Sequence, residues 1–135
     1  MSDRVAHLQI IQGVINRLSQ NSFLLKGWAV VLVSGLFALA AGNSEILFVY
    51  LAYLPAIAFW CLDAYFLRQE RLYRALYDEM REVDEADVDF SMDTRSVADK
   101  VAPWYRVAVS PTIIAFHLTL IGAVALVMAI ILGRQ

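Results

Sequence analysis

Residues 46–83 read ILFVYLAYLPAIAFWCLDAYFLRQERLYRALYDEMREV, and the reading of this stretch decides the fold. Its first part, 46–67, holds about 22 mostly apolar and aromatic residues, long enough for a bilayer span. Its second part is charged every two or three residues but keeps a helical apolar rhythm at Leu72, Leu76, Met80 and Val83. No Gly or Pro separates the two parts, so the pattern predicts one helix that leaves the membrane and continues into water over 68–86. An apolar stripe on a helix otherwise bathed in water needs a cover, which makes these four residues the expected face for a partner or a second copy.

Composition agrees with a membrane setting. Of 135 residues 60% are hydrophobic and 18% charged, too apolar for an ordinary soluble domain of this size. The charge is segregated: ten of the thirteen acids fall between Glu70 and Asp99. A single cysteine, Cys61, excludes an intramolecular disulfide and a metal site built on paired cysteines. The length gives one domain.

Working outward, residues 1–20 read as an amphipathic helix with Val5, Leu8, Ile11, Val14, Ile15 and Leu18 at helical spacing. Amides rather than lysines occupy its polar face. It either lies in the membrane interface or packs on the Leu72–Val83 stripe; the sequence leaves both open. A first span covers 23–41, with Lys26 snorkelling towards the headgroups and Trp28 beside it as an interfacial anchor. Ala38-Leu39-Ala40 resembles a signal-peptidase site, but the long polar segment ahead of the apolar run favours a retained helix.

Gly42 to Glu45 forms a tight turn that makes spans one and two antiparallel neighbours. Ser44 is the expected cap of the second helix, with Glu45 in its first turn. Small residues recur every four positions at Ser34, Ala38 and Gly42, and again at Ala52 and Ala56, a spacing that lets backbones approach closely. Pro55 removes one backbone hydrogen bond in mid-span and predicts a kink. The acidic run 84–89 ends the regular structure, and residues 87–110 connect to the third span. Within that connection Asp93 or Thr94 caps a short helix, and Trp104 and Arg106 read as interfacial anchors. Ser110-Pro111 marks a helix start, and 112–132 is the third span. The fold class is therefore an all-α membrane protein: an amphipathic N-terminal helix and three transmembrane helices, the second extended.

Lys and Arg set orientation. The 68–106 connection carries seven of them, the 42–45 turn none, and the far end only Arg134. In a bacterial inner membrane this places the N-terminus and 68–110 in the cytoplasm and the C-terminus in the periplasm.

Polar residues within the hydrocarbon are costly and need partners. Asp63 lies roughly 7 Å inside the Arg68 end of span two, and His117 roughly 9 Å inside span three, so a contact within or between subunits is feasible. One reading is a pH-sensitive or ion-lining pair. The other is a buried hydrogen-bonded pair, or Asp63 reaching water beside Arg68. The aromatics Tyr50, Tyr53, Phe59, Trp60, Tyr65 and Phe66 read as belt and packing residues rather than a ligand cage. The acids between 78 and 99 lack the spacing and turn glycine of a calcium loop. No phosphate-cradling loop, activated nucleophile or zinc ligand set is present. The sequence thus predicts neither an enzyme, nor a cofactor, nor a nucleic-acid partner; the expected partners are the lipid bilayer and other copies of the chain.

The stretches NSFLLKGW (21–28), FWCLDAYFLRQER (59–71) and FSMDT (90–94), with the Ser110-Pro111-Thr112 helix start, look like a group of small bacterial inner-membrane proteins. The order of N-terminal helix, membrane hairpin and cytoplasmic helix is also similar to SLATT-type effectors, thought to be membrane-perforating outputs of nucleotide-sensing defence systems. This chain adds a third span and carries no sensor, so the resemblance implies a separate cytoplasmic sensor protein. The expectation is a homo-oligomeric pore-forming or membrane-perturbing effector. The alternative is a membrane anchor or accessory subunit that recruits a cytoplasmic partner through 68–110. A transporter has little to work with in one acid and one histidine.

Overall fold

The computed structural model describes residues 2–43 and 45–135. It is all-α, with three helices long and apolar enough to cross a membrane. Helix α1 spans Asp3–Asn43, α2 Ile46–Met80, the short α3 Trp104–Ala108 and α4 Pro111–Gly133. Between α2 and α3 lie two 3-10 turns, Glu85–Asp87 and Arg95–Lys100.

The predicted N-terminal helix and first span are one continuous helix. No proline interrupts residues 3–43, and Ser22, a residue type that often caps a helix, instead turns its hydroxyl to α2. At 1.5 Å per residue α1 is about 60 Å long, and it runs antiparallel along most of α2.

Two cores hold the pair together. In the apolar half, Val33 and Ala40 of α1 meet Val49, Ala52 and Ala56 of α2 and Val124 of α4. In the charged half, Ile11 and Ile15 of α1 close on Leu76 of α2 and on Val97 from the second 3-10 turn. Residues 3–18 therefore pack on the extension of α2, the second of the two positions open to them. Leu72 and Leu76 are buried within the chain, while Met80 and Val83 are half-buried. Of the four residues expected to form a partner or oligomer face, Leu72 and Leu76 are thus covered by the chain itself, and Met80 and Val83 stay partly open.

Local expectations are refined in turn. Ser34, Ala38 and Gly42 point outward; α1 meets α2 through Val33 and Ala40, off that stripe round the helix axis. Ala52 and Ala56 are fully buried. Helix α2 ends at Met80 rather than 86, where a run of acids meets the negative end of the helix dipole. Glu45 occupies the cap position of α2 without a side-chain bond, and Ser44 lies outside the described residues. Helix α2 continues through Pro55. At the start of α4, Ser110 has the extended cap backbone and Pro111 follows it, but the serine hydroxyl donates back to the Val107 carbonyl at 2.7 Å. Thr94 makes no capping bond; Asp93 accepts the Arg95 amide at 2.9 Å.

The start of α1 is capped from 82 residues away. The Glu85 carboxylate accepts the backbone N–H groups of Asp3 at 2.5 Å and Arg4 at 3.3 Å, where orphan donors and the positive dipole end favour an anion. The Arg4 guanidinium donates to the Val83 carbonyl at 3.2 Å. Phe90 adopts a left-handed backbone (φ 56°), a strained state for a bulky residue, and its ring lies 5.4 Å from that of His7.

Candidate functional site: a buried polar cluster joining three spans

Asp63 sits on α2 one turn before its basic stretch, and it is inaccessible to solvent. From α4, His117 brings Nε2 to 2.7 Å of Asp63 Oδ2. From α1, Lys26 Nζ reaches the same oxygen at 2.6 Å. The Ser22 hydroxyl, one turn before Lys26, donates to the other oxygen, Oδ1, and accepts from Lys26 at 3.0 Å. One carboxylate therefore ties together all three apolar helices.

The charges balance locally: Lys26 neutralises Asp63 at contact distance. A carboxylate only accepts, so the histidine hydrogen sits on Nε2. Nδ1 of His117 is buried as well, and among the described residues it has no partner. The ring is held by its faces and edges. Trp60 stacks parallel to it, 6.1 Å between centroids and 4° from coplanar, and Phe116 meets it edge-on at 5.0 Å. Lys26 Nζ also lies 6.0 Å above the Phe116 ring. Trp60 Nε1 donates to the Ala108 carbonyl at 2.9 Å, and Trp104 Nε1 donates to the Cys61 carbonyl at 3.2 Å. Two indoles thus lash α3 to α2 beside the cluster.

The structure brings together Asp63 and His117, adds Ser22, which the sequence did not single out, and gives Lys26 a second role. Lys26 is not simply a headgroup anchor; its ammonium is bound to Asp63, with the side chain 24% exposed. Ser22 carried no signal of its own. Trp28 is exposed on the outer face of α1, and Trp104, Tyr105 and Arg106 are exposed around α3. A second buried histidine, His7, lies in the charged half, with Nε2 2.8 Å from the Ser91 carbonyl. Its signal was its register: positions 7, 11 and 15 fall on one helical stripe.

Three ionisable side chains in one hydrogen-bonded chain can bind or relay a proton, or hold the spans in a fixed arrangement until an ion disturbs them. Lys26 and Ser22, both partly exposed, link the buried carboxylate to the outside. Among the described residues no group of three His, Cys, Asp or Glu side chains is placed to hold a metal ion. Compared with known proteins, the chain matches no family model, no curated protein and no solved structure.

Proposed function

We propose that the chain is a homo-oligomeric effector of the bacterial inner membrane that perforates or perturbs the bilayer. Its Lys26–Asp63–His117 cluster acts as the clasp of the closed state. The observation that supports this most directly is the cluster itself: three ionisable residues, one from each span, meeting at a fully buried carboxylate. Such groups are rare in spans and cluster where ions or protons act. A carboxylate and an imidazole buried between the helices suit a clasp better than a pore lining, so opening requires the helices to separate. Support for self-association comes from the outer face of α1. Gly27, Ser34, Gly35, Ala38 and Gly42 are exposed, and the chain's own packing leaves open space beside each glycine. A second copy could approach closely there. The Lys and Arg count favours residues 68–110 and the N-terminus in the cytoplasm, where a separate sensor protein would act.

The test is reconstitution into vesicles loaded with a self-quenched dye, with the mass of the assembly measured in mild detergent. A defined oligomer, and a leak that rises in Asp63→Asn, is the expected result. A monomer that never leaks, with the cluster intact or broken, would overturn the reading and leave the membrane-anchor alternative. That alternative draws on the acidic exterior of 78–89, a surface suited to recruiting a basic partner.

A further inference from the structure

We propose that the basic collar at the start of the charged half is a binding site for the headgroup of an anionic phospholipid. Along α2 the charge is sorted by height. Residues 68–77 carry Arg68, Arg71 and Arg74 against Glu70 alone, whereas 78–89 carry seven acids against Arg81. Counting from Leu67, the last residue of the apolar run, Arg71 stands roughly 6 Å and Arg74 roughly 10 Å beyond it, the height of a headgroup layer.

A groove of about 360 Å³ opens at this height between α2 and the end of the second 3-10 turn. Arg71, Arg74 and Lys100 line it with Ala75 and Val101, and Asp78 closes its outer end. The Arg68 Nε–H donates to the Ala102 carbonyl at 3.2 Å, which fixes the Lys100 segment against the helix. Arg74 pairs with Glu70 at 3.4 Å. Arg71 and Lys100 have no ion-pair partner among the described residues. Two unpaired cations therefore flank one groove.

Two observations favour a lipid over a soluble phosphate. Below the groove, Trp104 and Tyr105 are exposed, and Trp104 is bonded back to the level of Cys61 in the apolar run. Indole and phenol rings at that depth are the usual companions of headgroups. Above it, Asp78 and the acids beyond would repel a polyanion arriving from water, while a headgroup reaches the cations from the membrane side.

The test is native mass spectrometry of the full chain released from mixed micelles of phosphatidylglycerol and phosphatidylcholine. The chain is expected to retain phosphatidylglycerol preferentially. The variant Arg71→Gln/Lys100→Gln should bind it about thirty-fold more weakly, from roughly a factor of five per basic residue. Arg81→Gln, which removes one charge from the acidic region, should retain it as the parent does, and circular dichroism should show equal helix content in all three. Equal retention of the two lipids, or no loss in the double variant, would overturn the proposal. So would displacement of the lipid by millimolar glycerol phosphate, because a soluble phosphate would then be the better ligand. None of these readouts depends on leak or oligomer mass, so the site and the effector reading fail separately.

Discussion

The two histidines are both buried almost completely, and they teach different things. His117 lies in the apolar half, bound to a carboxylate, stacked on Trp60, with its second nitrogen unsatisfied. His7 lies in the charged half, bound to a backbone carbonyl and set against a strained phenylalanine. One belongs to a polar island surrounded by hydrocarbon-like side chains; the other fills a gap in an apolar core surrounded by acids. The same residue type thus marks the place where the environment reverses. In the apolar half a broken hydrogen bond leaves a charge stranded. In the charged half water can take the missing partner's place.

The largest effect should come from the hub of the island. Replacing Asp63 by Leu strands Lys26 and His117 together, and removal of one partner from a buried pair costs about 3–5 kcal/mol. Partial exposure of Lys26 puts the expected loss near the lower end. Thermal unfolding in mild detergent measures it. His117→Leu should lose less, about 1–3 kcal/mol, because Asp63 keeps Lys26 and Ser22. In the Asp63→Leu background His117→Leu should cost little further, since its partner is already gone. Strict additivity would show that the two side chains do not share a site, whatever their separation.

The counterpart in the charged half is Leu76, which is 1% exposed between Ile11 and Ile15. Leu76→Ala should cost about 3 kcal/mol, and the loss should be local. Amide exchange should speed up over residues 3–18 and leave 29–41 unchanged. Equal acceleration in both regions would mean that the two cores unfold as one, and the contrast between the halves would fail.

How much of this was legible follows the same division. The spans, their order and the depths of Asp63 and His117 can be counted from the ends of apolar runs, because a bilayer imposes lengths. The partner of Lys26 cannot be counted that way. Snorkelling treats each helix separately, and only the packing of α1 on α2 shows that Lys26 and Asp63 meet. In the charged half both apolar stripes were visible, at Ile11 and Ile15 and at Leu72 and Leu76, but nothing in a one-dimensional pattern says that they cover each other. The role of Glu85 was hidden for a related reason: it caps a helix start 82 residues distant in the chain.

His7→Leu comes next and tests the contrast directly. It should cost about 1 kcal/mol, the net worth of an ordinary hydrogen bond, because the Ser91 carbonyl can be rehydrated. A loss matching that of His117→Leu would remove the difference between the two environments.

The smallest effect concerns the exposed edge of the charged half. Arg95 donates to Asp93 through Nε at 2.8 Å and Nη2 at 2.7 Å, and its backbone amide adds a further bond. The guanidinium bonds, chiefly, hold the Asp93 carboxyl below its ordinary value near 3.8. A carboxylate depressed in this way stabilises the fold at pH values above its unfolded titration. Its contribution is lost as the pH falls through the lower, folded value. Because both side chains stand in water, screening leaves little of this in the overall stability. The informative readout is therefore local: the carboxyl carbon shift of Asp93, followed by NMR from pH 6 to 2, should titrate below 3.8. Arg95→Gln should return it to the usual carboxylate range without moving the melting temperature. A titration at the ordinary value in the parent protein would show that the Asp93–Arg95 clasp does not persist in solution, and that this edge of the charged half is held by Val97, Met92 and the Ser96–Glu79 hydrogen bond instead.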